Sequence, residues 1–445
     1  MLIASLFLGV VPVWPGQDWP EFRGPGGQGD AAAEHLPIEW DTTRNIAWKQ
    51  AIPGHGWSSP VLKAGKVFLT TAVEQTVGGT ATLSLRALCL DQATGRILWD
   101  REVLASPAAQ LPRIHNKNSH ASPTPLAAGN RLFVSFGHQG TACLDLDGQV
   151  VWRNTSLGYP PVHGSGGSPI LVDEALIFNC DGASEPFVVA LDKNTGTVLW
   201  KSKRETSAKR KFSFSTPLAI RVDGRAQVIS PGSGAVCSYD PKTGREIWRV
   251  RYGEGYSVIP RPVYGQGLVF VATGFDRPAV LAIRPDGRGD VTETHVAWTL
   301  AKGAPNTPSL LLVGAELYMV SDGGIASCVE ARTGRVYWQE RLGGNYSASP
   351  IQADGRIYFQ NEEGTAVVVK AGKDFLKLAT NSLGERTLAS YAVTDGALFL
   401  RTDQHLFKVQ GSKVKVQSSK FKVQGSRFEV QGSKFEVQSS PTSIH

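Results

Sequence analysis

Nowhere in the 445 residues do about 18 apolar side chains run together, so no membrane-spanning helix is expected. Helical periodicity is almost absent as well. That removes the strand-to-helix context a hydrolytic serine elbow needs, and Gly164-Ser165-Gly166 and Gly232-Ser233-Gly234 read as turns. There are only five cysteines, an odd number with no two adjacent and no metal-ligand spacing. The formal charge of +7 is concentrated at one end: residues 408–445 carry +5, leaving +2 on a large body. A surplus that small gives no reason to expect a nucleic-acid partner.

Glycine, by contrast, is abundant at 48 residues, and the 11 tryptophans are not scattered. Residues 190–200, ALDKNTGTVLW, read as the end of a strand, a tight turn and a second strand. Asp192 and Thr195 can bond turn backbone, and Gly196 supplies the left-handed conformation that side chains resist. Related stretches are CLDQATGRILW at 89–99, SYDPKTGREIW at 238–248 and CVEARTGRVYW at 328–338. A shortened copy ends at Trp152 and a lengthened one at Trp298. With Trp48, these tryptophans recur every 51, 53, 48, 48, 50 and 40 residues, the period of a four-stranded propeller blade. Trp48, Trp99, Trp152, Trp200, Trp248, Trp298 and Trp338 are therefore expected to dock between blades. Cys89, Cys143 and Cys328 occupy the place of Ala190 and read as small residues packed between blades.

The pattern A-x-D-x-x-T-G-x-x-x-W resembles the tryptophan-docking repeat of the PQQ-like propellers, a superfamily holding quinoprotein alcohol dehydrogenases and the outer-membrane assembly factor BamB. Trp19-Pro-Glu-Phe-Arg-Gly-Pro25, residues 45–48 (NIAW) and Gly56-Trp-Ser-Ser-Pro60 are similar to a subgroup of secreted bacterial propellers. The resemblance spans roughly residues 17–410 and implies an all-β propeller. For the dehydrogenases it further implies a calcium ion held by carboxylate and amide oxygens, a catalytic Asp and often a vicinal disulfide. The absence of adjacent cysteines departs from that pattern.

Short Ser/Thr-Pro pairs precede the β runs: Ser59-Pro60, Ser122-Pro123, Ser168-Pro169, Thr216-Pro217, Thr307-Pro308 and Ser349-Pro350, with Arg261-Pro262 and Ser390-Tyr391 as variants. Proline is tolerated there because its missing donor falls at the strand start. These pairs count eight units. The last holds three strands, and residues 45–51 form an orphan strand that would complete it. The expected fold is thus an eight-bladed propeller of four-stranded antiparallel blades, closed by an N-terminal strand, which removes the open edge. Seven blades is the second reading, because the seventh unit lacks the tryptophan. Residues 1–16 read as a hydrophobic leader, implying export to the periplasm or beyond, although no basic residue precedes the apolar run. Residues 17–44 read as an irregular arm, 17–410 as the propeller domain, and 411–445 as a low-complexity heptapeptide tail.

Loops leading into first strands ring one mouth of a propeller, and rigidly held loops are where binding groups sit. Here they supply His55, Trp57, His115, Asn116, Asn118, His120, His163, Arg261, Asn306, Asn345 and Tyr346 as candidate ligand-binding residues. They contain almost no carboxylates, and no histidine pair has a tight metal spacing, so neither catalytic nor metal-ligating residues are assigned. The reading is a monomeric, non-catalytic scaffold that binds a protein or small molecule at its mouth. The alternative is a quinoprotein-type oxidoreductase using PQQ and calcium through atypical residues.

Overall fold

The computed structural model describes residues 18–411. The expected leader at 1–16 and the tail beyond residue 411 lie outside the described residues. Eight four-stranded antiparallel blades span 61–107, 126–154, 170–203, 218–251, 263–300, 311–341, 351–382 and 392–410. Blade 3 shows the plan: Ile170–Val172 lies innermost, followed by Ala175–Cys180, Phe187–Asp192 and Val198–Lys203. The two middle strands are buried along nearly their whole length, because each blade face packs on a neighbour, and their sequence is apolar except for Asn179 and the terminal Asp192. The outermost strand Ile46–Ala51 instead alternates between half-buried and exposed positions.

Blade 8 is closed by the N-terminus. Ile46–Ala51 pairs antiparallel with His405–Gln410, running from Ile46 opposite Val409 to Ala51 opposite His405. Lys377–Ser382 is the outer strand of blade 7, while Ala392–Thr394 begins blade 8, so the seven-blade count does not hold. Two blades gain a short parallel fifth strand: Asp30–Ala31 beside blade 7 and Gly289–Asp290 beside blade 4.

The repeat turn has one construction. In the six blades that carry a repeat tryptophan on their own fourth strand, that tryptophan lies opposite a small residue: Cys89, Cys143, Ala190, Ser238, Ala282 or Cys328. A bulge follows at once. The bulge tips the indole toward the next blade, where it covers the turn glycine. A side-chain carbon at Gly95 would lie 2.6 Å from the ring of Trp48, and one at Gly148 or Gly334 would lie 2.9 Å from Trp99 or Trp298. Six indoles, those of Trp48, Trp99, Trp152, Trp200, Trp298 and Trp338, donate Nε1–H to a carbonyl of the next blade. Trp248 differs. The inserted Gly289–Asp290 strand covers it, and its donor turns to Gln227 Oε1 within its own blade. All five cysteines are free and buried, and burial pushes the Cys89 and Cys328 thiols up to about 12.

Candidate functional site

The arm that precedes blade 1 forms a floor. Trp19 exchanges backbone hydrogen bonds with Leu62 of blade 1, and Pro20 accepts from Ala127 of blade 2. The chain then crosses the axis to blades 5 and 6, where Gln28 bonds Tyr264 and Arg23 Nη1 donates to the Leu310 carbonyl. Next it pairs with blade 7 and reaches Gly396 of blade 8. Blades 1 and 2 lie diametrically opposite blades 5 and 6, so the arm spans the channel. The side chain of Phe22 faces into the channel at this crossing. Arg261 locks the crossing from above. Its Nη2 meets Glu21 Oε2 at 2.8 Å, and its other donors bond the Phe22 and Pro217 carbonyls. Gly27 is a glycine because the Arg261 guanidinium fills the space a side chain would need.

Above the floor a belt joins the first strands. In seven of the eight blades the backbone N–H at the entrance donates to a hydroxyl of the following blade. Ser59 donates to Thr124, Thr124 to Ser168 and Ser168 to Thr216; Arg261 donates to Ser309, Ser309 to Ser349, Ser349 to Ser390 and Ser390 back to Ser59. Their lengths lie between 2.9 and 3.1 Å. The break falls where Arg261, which has no acceptor atom, takes the hydroxyl's place. The belt also corrects the expected register. Thr124, not Ser122, is the entrance of blade 2, and Ser309, not Thr307, is that of blade 6.

Between belt and loops lies a cup of about 390 Å³, closed below by Phe22. One wall is an arc of rings. His115 stands edge-on to His163 at 5.5 Å, His163 to Phe212 at 5.2 Å, Phe212 to Tyr256 at 5.5 Å, and Tyr256 packs on Phe275 at 6.3 Å. The Arg210 guanidinium lies 4.4 Å over Tyr256 on this side, and Arg386 lies over Trp57 on the other. Burial and the neighbouring His115 hold the His163 imidazole below its ordinary value, so at neutral pH it is an uncharged ring. The loop between blades 1 and 2 bends over the mouth. His115 N–H and Asn118 Nδ2 donate to the His163 carbonyl, and Lys117 Nζ reaches 2.7 Å to Glu362 Oε1 of blade 7.

Of the residues singled out from sequence, Trp57, His115, Asn118 and His163 line the cup together. Seven do not line it. His55 is exposed and pairs its backbone with Ala72, and Asn116 is exposed on the loop tip. His120 packs against Gln139, and burial lowers its pKa. Arg261 runs down to the floor. Asn306 is held through its N–H by Asp322, Asn345 bonds Glu363, and Tyr346 is fully buried behind the wall. Sequence reasoning passed over Phe212, Phe214, Tyr256, Lys117 and the belt hydroxyls as ligand groups. The Phe-x-Phe spacing at 212–214 could have suggested two rings on one side of an extended loop. Phe275 comes from a hairpin loop inside blade 5, and no local signal marks it.

The donor set does not match a calcium-held quinone. No Asp or Glu lines the cup, and its one cationic lining residue, Lys117, already meets Glu362. Among the described residues, no group of three or more His, Cys, Asp or Glu side chains could hold a metal ion.

A family model described as outer membrane protein assembly factor BamB matches residues 184–315 and 295–374. The assembly factor BamB of Yersinia pestis is 20% identical over 311 residues, covering 69% of this chain and 65% of that protein. The match thus spans just under two thirds of the relative's length. Among solved structures, BamB from Moraxella catarrhalis superposes with a TM-score of 0.57 at 14% identity, over 83% of this chain and 98% of that one. The quinohemoprotein alcohol dehydrogenase ADHIIG from Pseudomonas putida HK5 gives 0.57 at 11% identity, over 92% and 82%. At such identities the superpositions speak to fold. Taken with the tryptophan repeat and the self-closed ring of eight blades, they show an eight-bladed β-propeller similar to the PQQ-like propellers.

Proposed function

We propose that the protein is a non-catalytic binding scaffold that seats its ligand in the cup at the propeller mouth. The observation that carries this is the blind shape of the cup: an apolar, aromatic wall of about 390 Å³ over a floor sealed by the chain's own arm. Concave, largely apolar sites with a few polar groups are where small ligands and single side chains of a partner bury. The naming of the Yersinia pestis relative as an assembly factor supports a role in holding another molecule, and its outer-membrane association supports export to the periplasm. Among the described residues no helix is long and apolar enough to cross a membrane.

A ligand-observed magnetic-resonance screen of small molecules and short peptides tests this reading. Wild type should bind fragments that compete for one site, and Ser347→Trp, which fills the mouth, should not. Equal binding by both proteins would place the ligands elsewhere. A stoichiometric adduct after incubation with PQQ and calcium, seen by native mass spectrometry, would instead support the oxidoreductase reading.

A further inference from the structure

A hydroxyl has one hydrogen to donate and two lone pairs to accept with. Six belt hydroxyls line the cup: Ser59, Thr124, Ser168, Ser309, Ser349 and Ser390. Each accepts a backbone N–H from the preceding blade, and among the described residues none donates its own hydrogen to a protein acceptor. Six donors thus face one axis with no acceptor from the described residues to receive them. A surplus of donors of one kind at the base of a cavity calls for an acceptor-rich group.

Charge beneath the belt has the matching sign. The floor holds two buried guanidiniums, Arg23 and Arg261, but one carboxylate, Glu21. Among the described residues Arg23 bonds only the carbonyls of Leu310 and Gln28, and its Nε has no partner there. Burial and the nearby Arg261 bring its pKa down to about 9, so it stays protonated at neutral pH in a setting that lacks one negative charge. Arg23 follows Phe22, whose ring floors the cup, and donates to the carbonyl of Leu310, the residue after Ser309 of the belt, so the excess positive charge lies beside the base of the site. On the wall above, Phe212, Tyr256 and Phe275 present a continuous apolar surface.

We infer that the cup takes a monocarboxylate with a flat apolar body. The carboxylate accepts from the hydroxyl belt above Phe22, and the body lies along the Phe212–Tyr256–Phe275 arc. One negative charge balances the unpaired guanidinium of the floor, Arg23, and a carboxylate offers about four lone-pair sites to a ring of donors. The inference rests on the reading of the cup as a binding site and names what that site selects. A free aromatic acid and the carboxyl terminus of a peptide ending in an aromatic residue share this chemistry.

Isothermal titration of the full chain separates the possibilities, with 2-naphthoate, 2-naphthamide, and acetyl-Gly-Phe as free acid or amide. At least one acid should bind about tenfold more tightly than its amide, the factor lost when hydrogen bonds to a charged group are removed. Which acid binds identifies the source. Ser168→Ala with Ser349→Ala should weaken the acid by a similar factor without affecting the amide, and Ser→Thr at the same positions should restore it. Should the double alanine variant fail to fold, the acid–amide comparison on wild type still decides. Equal affinity for acid and amide would overturn the carboxylate head while leaving the cup as a binding site. Failure of all four probes, with fragments still binding in the screen, would also overturn the head alone. Failure of both experiments would remove the cup reading as well.

Discussion

The seam between the N-terminal strand and blade 1 offers the sharpest test of how the ring is held. Trp48 stands on Ile46–Ala51, and its ring covers Gly95 in the turn of blade 1, with Nε1 donating to the Gln92 carbonyl at 3.3 Å. Truncating a buried tryptophan costs about 3–5 kcal/mol, and half-buried Trp48 should fall near the lower end, about 3 kcal/mol. Gly95 has φ of +77° and no room for a side chain. Gly95→Ala should therefore cost about 1–2 kcal/mol for the left-handed backbone. Pushing a methyl into the indole adds about 1–3 kcal/mol. Removing the indole first abolishes the second of these costs but not the first. The double variant Trp48→Ala with Gly95→Ala should then be more stable than the sum of the singles by about 1–3 kcal/mol. Denaturant titration of the four proteins measures this directly. Additivity within about 0.5 kcal/mol would mean that the ring does not lie on Gly95 and that the seam is made by other contacts.

Arg261→Gln should destabilise the protein by about 3–5 kcal/mol, because Glu21 is left without its partner. Limited proteolysis should then cut the arm near Gly24–Gly29, and an arm that stays resistant would show that Arg261 does not hold it. Burial keeps His120 and His138 below their ordinary 6.5, so the folded state binds fewer protons than the unfolded chain. Their contribution is whole above pH 6.5 and is lost as pH falls below it. The melting temperature should drop between pH 6.5 and 5 in wild type and less in a His120→Gln, His138→Gln double variant; identical slopes would exclude these rings as the cause. The ladder of blade 8 ends at Gln410, so removing residues 412–445 should leave the melting temperature unchanged, and a lower one would show that the ring depends on them.

The ring was legible in the sequence because its contacts repeat. A bulge, a turn glycine and an indole recur at six of the eight seams, so their spacing sets the blade period, and the orphan strand at 45–51 supplies the missing strand of the last blade. Trp248 escaped the pattern only in its partner, since the inserted Gly289–Asp290 strand came between it and the next blade. Proline marked the first strands but did not set their register: a residue with no donor fits either side of Ser122-Pro123-Thr124-Pro125, and only the belt chooses Thr124. The cup was legible in part. Loop histidines and Trp57 stood out by type, whereas the serines of the belt act through their common distance from an axis, which sequence separation conceals. Arg261 was placed among ligand groups because its loop points to the mouth, yet Glu21 and the Phe22 carbonyl of the arm, with the Pro217 carbonyl of blade 4, draw its side chain the other way.

Closure by the first strand also sets an order of events in time. Ile46–Ala51 is made early, but its partner is the last strand of the ring, His405–Gln410. During synthesis or translocation, blades 1 to 7 can form in sequence from local hairpins, while the first strand waits unpaired behind them. Most of the arm waits too, since beyond its first contacts with blades 1 and 2 its partners lie on blades 5 to 8. The floor of the cup is therefore laid down only after the walls are standing. A chain halted before residue 405 would hold seven blades around an open channel, with an adhesive strand at one end and nothing yet able to retain a ligand.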